Sequence, residues 1–370
     1  MKFLFDLSGR DHSHNAIFIF SLRVLSGFKA NGYGQISVLC NSQNYQYVRN
    51  MFPEYPCMEV PFLGEGKGLR TFVRNLRLWR KAVRSIEHDI LFIPHVFPPY
   101  FCFFKRNKTV LVLHDLQGLK IYKGIRLWAC RIFYPLALWR CKIVITISDF
   151  VKHEVHRVYP FISGKKLHTV YNGVVLPRVE KAEEPPFRGK YILYVSTLME
   201  HKNVITLLKA FRNLRDKFPH HLIIIGRSRA YWEETALPYI KQEGMEDRVC
   251  LVSEPVSDEM LAQYYMHADL FIHPSLLEGF GYTPIEAALY GTQVLTNKST
   301  ALHETTLGLL NYYDPPTDAE AMSTEMERLL TMPVSKERLQ KIVKTFRERY
   351  DNRSQTRELH DLILTLLENP

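Results

Sequence analysis

Ten short apolar runs, parted by segments of helical period, constrain this chain more than anything else in it. The first half carries "KFLFDL" (2–7), "QISVLC" (35–40), "DILFIP" (89–94), "TVLVLH" (109–114) and "KIVITIS" (142–148). The second half carries "YILYVS" (191–196), "HLIIIG" (221–226), "RVCLVS" (248–253), "DLFIHP" (269–274) and "TQVLTN" (292–297). Runs so rich in β-branched and aromatic residues suit strands buried on both faces, with the intervening helices as cover. The expected fold class is therefore α/β with parallel sheets. The stretch "VVLPRVEKAEEPPFRGK" (174–190) is charged, rich in proline and without period, so it reads as a linker between two halves. Residues 335–368 read as a charged terminal helix.

Apolar residues make up 46% of the 370, enough for each half to build a core. The start, "MKFLFDLSGRDHSHN", meets charges early and does not read as a signal peptide. Residues 90–104 are interrupted by Pro94, His95, Pro98 and Pro99 and are too few to span a bilayer, which takes about 20. Six cysteines lie scattered with no C-x-x-C pair, which suits buried thiols in a reducing cytoplasm better than disulfides or zinc.

Charge is divided unevenly. Residues 1–180 carry 26 Lys and Arg against 11 Asp and Glu, while the rest carry 22 against 27. A basic first half points to an anionic partner: a membrane surface, a phosphorylated substrate or nucleic acid. In "GLRTFVRNLRLWRKAVR" (68–84), Arg70, Arg74, Arg77, Arg80, Lys81 and Arg84 share a helix with Phe72, Leu76, Trp79 and Val83 on another face. That pattern fits a helix lying on a membrane, or equally a core helix with a basic solvent face. "VFPPYFCFFKRNK" (96–108) mixes rings with cations and is open to the same two readings. Against a nucleic-acid binder, no recognised binding module is present.

Open parallel sheets bind ligands beyond the carboxyl ends of their strands, so the residues just after strands are the candidates. "DLFIHPSLLEGFGYTPIEAALYG" (269–291) is the richest such segment. Thr283 suits a helix N-cap, Pro284 the first helical position and Glu286 the third, which together would form a capping box. Glu286 can thus be helix punctuation, ligand contact or both. Capping does not account for Glu278, nor for Gly279 and Gly281, which permit a ligand to approach the backbone. The helix that follows offers unpaired amides and a positive dipole end to a diphosphate. In "LYVSTLMEHKNVITLLKAF" (193–211), Lys202 lies on a loop after a strand and Asn203 can cap the next helix. His114 closes a strand in "TVLVLHDLQGL" (109–119), and Gly9 follows one in "DLSGRDHSHNA" (6–16), without the full G-x-G-x-x-G of dinucleotide binders. No D-x-D, P-loop or G-x-S-x-G occurs, so no metal or cofactor is expected.

These residues resemble the retaining GT-B glycosyltransferases of glycosyltransferase family 4, which includes many bacterial polysaccharide and lipopolysaccharide enzymes. The resemblance runs over about residues 1–365 and is strongest over 190–297. Its most specific part is the E-x(7)-E pattern of Glu278 and Glu286 within "EGFG", followed by "GTQVL". "EHKN" is similar to the family's R-K-N loop, and "VLHDLQ" to its His-Asp segment. The resemblance implies two Rossmann-like domains whose parallel sheets face a central cleft. Residues 1–175 would bind the acceptor, residues 190–340 the nucleotide sugar, and residues 341–370 would form a helix able to pack back on the first domain.

It also implies roles. Glu278 would hold hydroxyls of the donor sugar and Glu286 those of the ribose. Lys202 would hold the diphosphate with the amides of Phe280, Gly281 and Thr283. His114 would approach the donor sugar, and Gly9 would lie on the acceptor and phosphate side. Thr197 and His201 stand where many members have arginines, so cations must come from elsewhere or the helix N-terminus must do more. The expected partners are a nucleotide-diphosphate sugar, with a lean towards GDP-mannose, a glycan or lipid-linked glycan acceptor, and an anionic membrane surface. An epimerase or phosphorylase on the same fold is the competing enzyme class.

Overall fold

The computed structural model describes residues 1–9, 16–62, 68–104, 108–182 and 184–368. Two units divide it: Met1–Gly173 with Asn352–Pro370, and Val174–Asp351.

All ten apolar runs form strands. In the first unit they are β1 (Phe3–Asp6), β2 (Ile36–Cys40), β4 (Ile90–Ile93), β5 (Thr109–Leu113) and β6 (Ile143–Thr146), joined by the short edge strands β3 (Cys57–Glu59) and β7 (Leu167–Thr169). The sheet order is β3-β2-β1-β4-β5-β6-β7, and every pairing is parallel. Its helices are α1 (Ala16–Ala30), α2 (Tyr45–Met51), α3 (Leu69–Ser85), α4 (Gly118–Ile121), α5 (Gly124–Arg140) and α6 (Asp149–Val158). Phe5 in β1 packs on Phe92 in β4 at 4.5 Å and edge-on to Phe28 of α1 at 5.5 Å. Each such buried ring contributes about 1.5–3 kcal/mol.

The second unit repeats the plan with β8 (Tyr191–Val195), β9 (His221–Ile225), β10 (Val249–Val252), β11 (Leu270–His273), β12 (Val294–Thr296) and β13 (Asn311–Tyr312). The parallel order is β10-β9-β8-β11-β12-β13. Around it lie α7 (Val204–Leu214), α8 (Leu237–Gln242), α9 (Asp258–His267), α10 (Tyr282–Leu289), α11 (Leu302–Thr305), α12 (Ala319–Thr331) and α13 (Lys336–Arg349). Tyr194, Leu208, Phe211 and Met326 are among the side chains of its core.

The terminal helical segment is two helices, not one. Tyr350 leaves helical geometry, buries its ring against Phe280 and donates its hydroxyl to the Thr305 carbonyl. Asp351 then bridges Val174. The unit boundary therefore falls after Asp351, and the expected domain end at residue 340 lies inside α13. Only α14 (Asn352–Glu368) belongs to the first unit, where it packs on α1. Gly27 permits that approach: a Cβ there would lie 2.2 Å from the Thr356 hydroxyl. Asn31 donates to the Arg353 carbonyl at 2.9 Å, and His360 stacks on Tyr33 at 3.8 Å.

Helix α3 uses its apolar face for the core. Leu76, Trp79 and Val83 are buried, Trp79 Nε1 donates to Asp6 at 2.7 Å, and the Phe72 ring meets Tyr100 and Phe103. The reading of this helix as a membrane-inserting one fails for that reason, although its basic face remains towards solvent. Tyr100, Phe101, Cys102 and Phe104 are likewise core; Lys105, Arg106 and Asn107 of the same stretch lie outside the described residues. Every described cysteine is a free thiol.

Candidate functional site

Adjacent parallel strands β8 and β11 deliver two loops to one edge of the second sheet. The loop after β8 ends in a tight turn, Glu200–Lys202, and the loop after β11 runs from Pro274 into α10. Asn203 ties them together. Its backbone is left-handed at φ 59°, and its amide donates to the carbonyls of Pro274 at 3.1 Å and Pro316 at 2.9 Å. The expected cap is thus not made: Asn203 Oδ1 accepts from the Thr206 hydroxyl, at 2.7 Å, instead of from a helix amide. The Leu276 amide reaches the His201 carbonyl at 2.9 Å, and the Tyr194 hydroxyl donates to the Lys202 carbonyl at 3.1 Å.

This frame brings Lys202 Nζ to 2.6 Å from Glu278 Oε1, with the two side chains only 15% and 12% exposed. His273 Nε2 reaches the same oxygen at 3.1 Å. On its other side, His273 Nδ1 lies 3.0 Å from the Thr283 hydroxyl. The Glu278 amide donates to the Thr300 hydroxyl at 2.9 Å. Burial opposes the Glu278 charge most strongly, but Lys202 and His273 together outweigh it and hold the carboxyl well below its usual range. Both partners land on Oε1; among the described residues nothing bonds Oε2. The site therefore presents a fixed anion with one open oxygen beside a fixed cation.

Helix α10 begins two residues earlier than the sequence suggests. Gly281 is the N-cap, at φ 85°, a conformation that favours glycine, and no side chain caps the helix. Thr283 is the second helical residue and turns its hydroxyl to His273, so the capping box with Glu286 does not form. Glu286 loses that structural explanation. It is half-buried on the first turns of α10 and helps, after burial, to push the neighbouring Tyr290 phenol up to about 12. Gly279, Phe280 and Gly281 are buried beneath the loop, and Thr197 is exposed at the exit of β8. Two of the residues singled out belong to the first unit and not to this cluster. His114 Nε2 donates to the Pro94 carbonyl at 2.9 Å, and Gly9 leaves room for Pro98, whose Cδ would lie 2.3 Å from a Cβ there.

His273 escaped the sequence reading. Its signal is a histidine at the end of an otherwise apolar run, "DLFIHP". A buried ring in that position requires partners, and Glu278 and Thr283 are those partners.

His201 gives the site a measurable pH response. Burial, followed by the adjacent Lys202 charge, lowers its imidazole from 6.5 to about 4 against the pull of Glu278. A histidine neutral in the fold but free to charge when unfolded makes the fold less stable as pH falls through that window, from 6.5 towards 4. Melted across the window, a His201→Gln chain will show a flatter dependence on pH than the parent. An unchanged slope removes His201 from the account.

An acidic loop, a cation and an open helix N-terminus thus meet at the strand ends of a parallel sheet. Residues 22–178 match the family described as Glycosyltransferase Family 4 and residues 178–349 that described as Glycosyl transferases group 1. The chain belongs to this family of glycosyltransferases, and its fold is GT-B. It is 26% identical over 270 residues to the O-antigen chain mannosyltransferase B of Escherichia coli, covering 66% of each chain. It is 28% identical over 230 residues to the O-antigen chain mannosyltransferase RfbU of Salmonella typhimurium, covering 62% of each. The matched stretch thus spans about two thirds of these relatives or less. The structure of Anabaena HepE in complex with UDP and glucose superposes with a TM-score of 0.75 at 15% identity, over 99% of this chain and 100% of that one.

Proposed function

We propose that this chain transfers a glycosyl group from a nucleotide-diphosphate sugar to a hydroxyl of a lipid-linked or growing cell-surface glycan, with retention at the anomeric carbon. The observation that carries the reading is the buried Lys202–Glu278–His273 cluster beside the N-terminus of α10. Oε2 of Glu278 accepts from donor-sugar hydroxyls, while Lys202 and the first-turn amides of α10 face the diphosphate. In the reaction the acceptor oxygen bonds to the anomeric carbon as the carbon–phosphate oxygen bond breaks. The departing phosphate oxygen takes the acceptor's proton on the same face of the sugar. The developing charge on the diphosphate is what a preorganised cation and amides stabilise, and one such donor contributes about 3–4 kcal/mol.

The cations lacking at Thr197 and His201 come from the neighbouring turn. Gly226, just after β9, packs against Ser196 at the exit of the neighbouring β8, and the exposed Arg227 and Arg229 lie on the turn that it begins. The likeness to O-antigen mannosyltransferases favours GDP-mannose as the donor and the inner face of the cytoplasmic membrane as the place of work.

Melting the chain with GDP, UDP, ADP and dTDP sugars identifies the donor, because ligand that binds the folded state raises its melting temperature. Labelled donor then shows transfer or slow hydrolysis; release of an isomerised nucleotide sugar without acceptor would overturn the reading in favour of an epimerase. Glu286→Gln will weaken nucleotide binding by about 10–100-fold, the loss of a charged hydrogen bond to the ribose, while stability changes by less than about 1 kcal/mol. Unchanged nucleotide affinity would remove Glu286 from the binding site.

A further inference from the structure

Helix α5 carries an apolar stripe that the fold does not use. Ile125, Trp128, Ile132 and Trp139 are 85%, 62%, 54% and 61% exposed. At 100° per residue they fall within an arc of about 60°, over roughly 20 Å of helix. Cys130, Tyr134, Ala137 and Leu138 face the core from the opposite side. A solvent-facing helix ordinarily places polar residues there, and two exposed tryptophans on one face are not surface scatter.

The charges on α5 itself are all of one sign. No Asp or Glu occurs between Asp115 and Asp149, a span that holds Lys120, Lys123, Arg126, Arg131, Arg140 and Lys142. Lys120 is paired with Glu154. Arg131 and Arg140 lie along the two edges of the stripe, with their guanidinium carbons 5.8 Å from the Trp128 ring and 6.0 Å from the Trp139 ring. Lys166 adds a further cation at the C-terminal end, where it donates to the Trp139 carbonyl at 3.0 Å.

We propose that α5 lies on an anionic lipid bilayer, with Trp128, Ile132 and Trp139 in the headgroup region and the flanking arginines on lipid phosphates. Tryptophan rings favour that depth, and arginines with no carboxylate on their own helix complement an anionic leaflet. A second copy of the chain fits worse, since a two-fold pairing of α5 would set the arginine-edged stripes against each other. No described helix is long and apolar enough to cross a membrane, so α5 rests on the surface. The inference deepens the reading of a lipid-borne acceptor and rests on it for its purpose. Its test contains neither donor nor acceptor, so docking and transfer can fail separately.

The test mixes the full chain with vesicles of phosphatidylcholine, with and without phosphatidylglycerol. Of the four tryptophans, Trp79 and Trp232 are buried in the core, so a change in emission on mixing reports Trp128 and Trp139. The expected result is a blue shift and co-sedimentation with the anionic vesicles only, reduced by salt. A Trp128→Ala/Trp139→Ala chain, and separately Ile125→Glu, will melt as the parent does and bind at least tenfold more weakly. The proposal is overturned if the parent does not bind. It is also overturned if both variants bind as the parent does, which would move docking to the basic face of α3. Loss of a dimer in the variants without any vesicle binding by the parent would assign the stripe to a second copy instead.

Discussion

A Lys202→Met enzyme will transfer sugar about 10²–10³-fold more slowly than the parent, the loss expected when one preorganised donor to a developing anion is removed. The fall will appear in kcat as well as in KM, because the diphosphate charge that Lys202 meets grows in the transition state. The same change leaves the buried Glu278 carboxylate with, among the described residues, only the His273 ring bonded to it. Breaking a buried pair from one side costs about 3–5 kcal/mol of stability, so the variant will also melt earlier. Glu278→Gln breaks the pair from the other side and leaves the cation stranded. Combined in a double-mutant cycle, the two changes will be far from additive, since they remove one interaction. Methionine at 202 with undiminished turnover would separate the pair from the chemistry and reduce it to a structural tie between two loops.

Gly226→Ala tests the scaffold behind that pair. A Cβ at Gly226 would lie 2.1 Å from the Ser196 carbonyl oxygen, which is backbone and has no rotamer to yield. The Ser196 amide is itself held by the Ile225 carbonyl at 3.1 Å, and the Gly226 amide by Val252 at 3.1 Å, so both strand exits are anchored. Overpacking of this kind costs about 1–3 kcal/mol, a fall of roughly 3–10 °C in melting temperature for a unit of this size. Relief can come only by displacing Ser196, and with it the loop that sets Lys202. Transfer will therefore fall further than the melting temperature suggests. Gly291→Ala is the control: φ is 83° there but nothing lies within 4 Å of the added Cβ, so only backbone strain of about 1 kcal/mol is expected. Equal effects of the two substitutions on transfer would show that the Gly226–Ser196 contact does not govern the site.

The strands were legible because each of the ten runs carries its own burial pattern. β3, β7 and β13 were not, since two or three residues such as Asn311–Tyr312 have no period and become strands only by pairing with a neighbour. Glu278 and Lys202 were legible as loop residues after strands, but their 2.6 Å contact was not, because it depends on the β8–β11 pairing across 76 residues of sequence. The misread start of α10 has the same origin. Thr283 looks like a cap when only its local neighbours are considered, yet a histidine ten residues earlier claims its hydroxyl. Likewise α3 shows a membrane-like pattern in isolation, and only the half-buried Asp6 and the buried Tyr100 beside Trp79 reveal where its apolar face belongs. Helix α5, whose stripe the fold leaves bare, was passed over because its apolar residues run nearly all round the helix.

The return of α14 to α1 has a consequence in time. The first unit is interrupted after Gly173 and resumes only at Asn352. A ribosome adding about 5–20 residues per second needs roughly 10–35 s to pass through the intervening unit. For that period the face of α1 around Gly27 stands without the helix that Thr356 and His360 bring to it. The second unit, continuous in sequence, is complete before the first, so the sheet and helices of the N-terminal unit await their last helix until synthesis is nearly over.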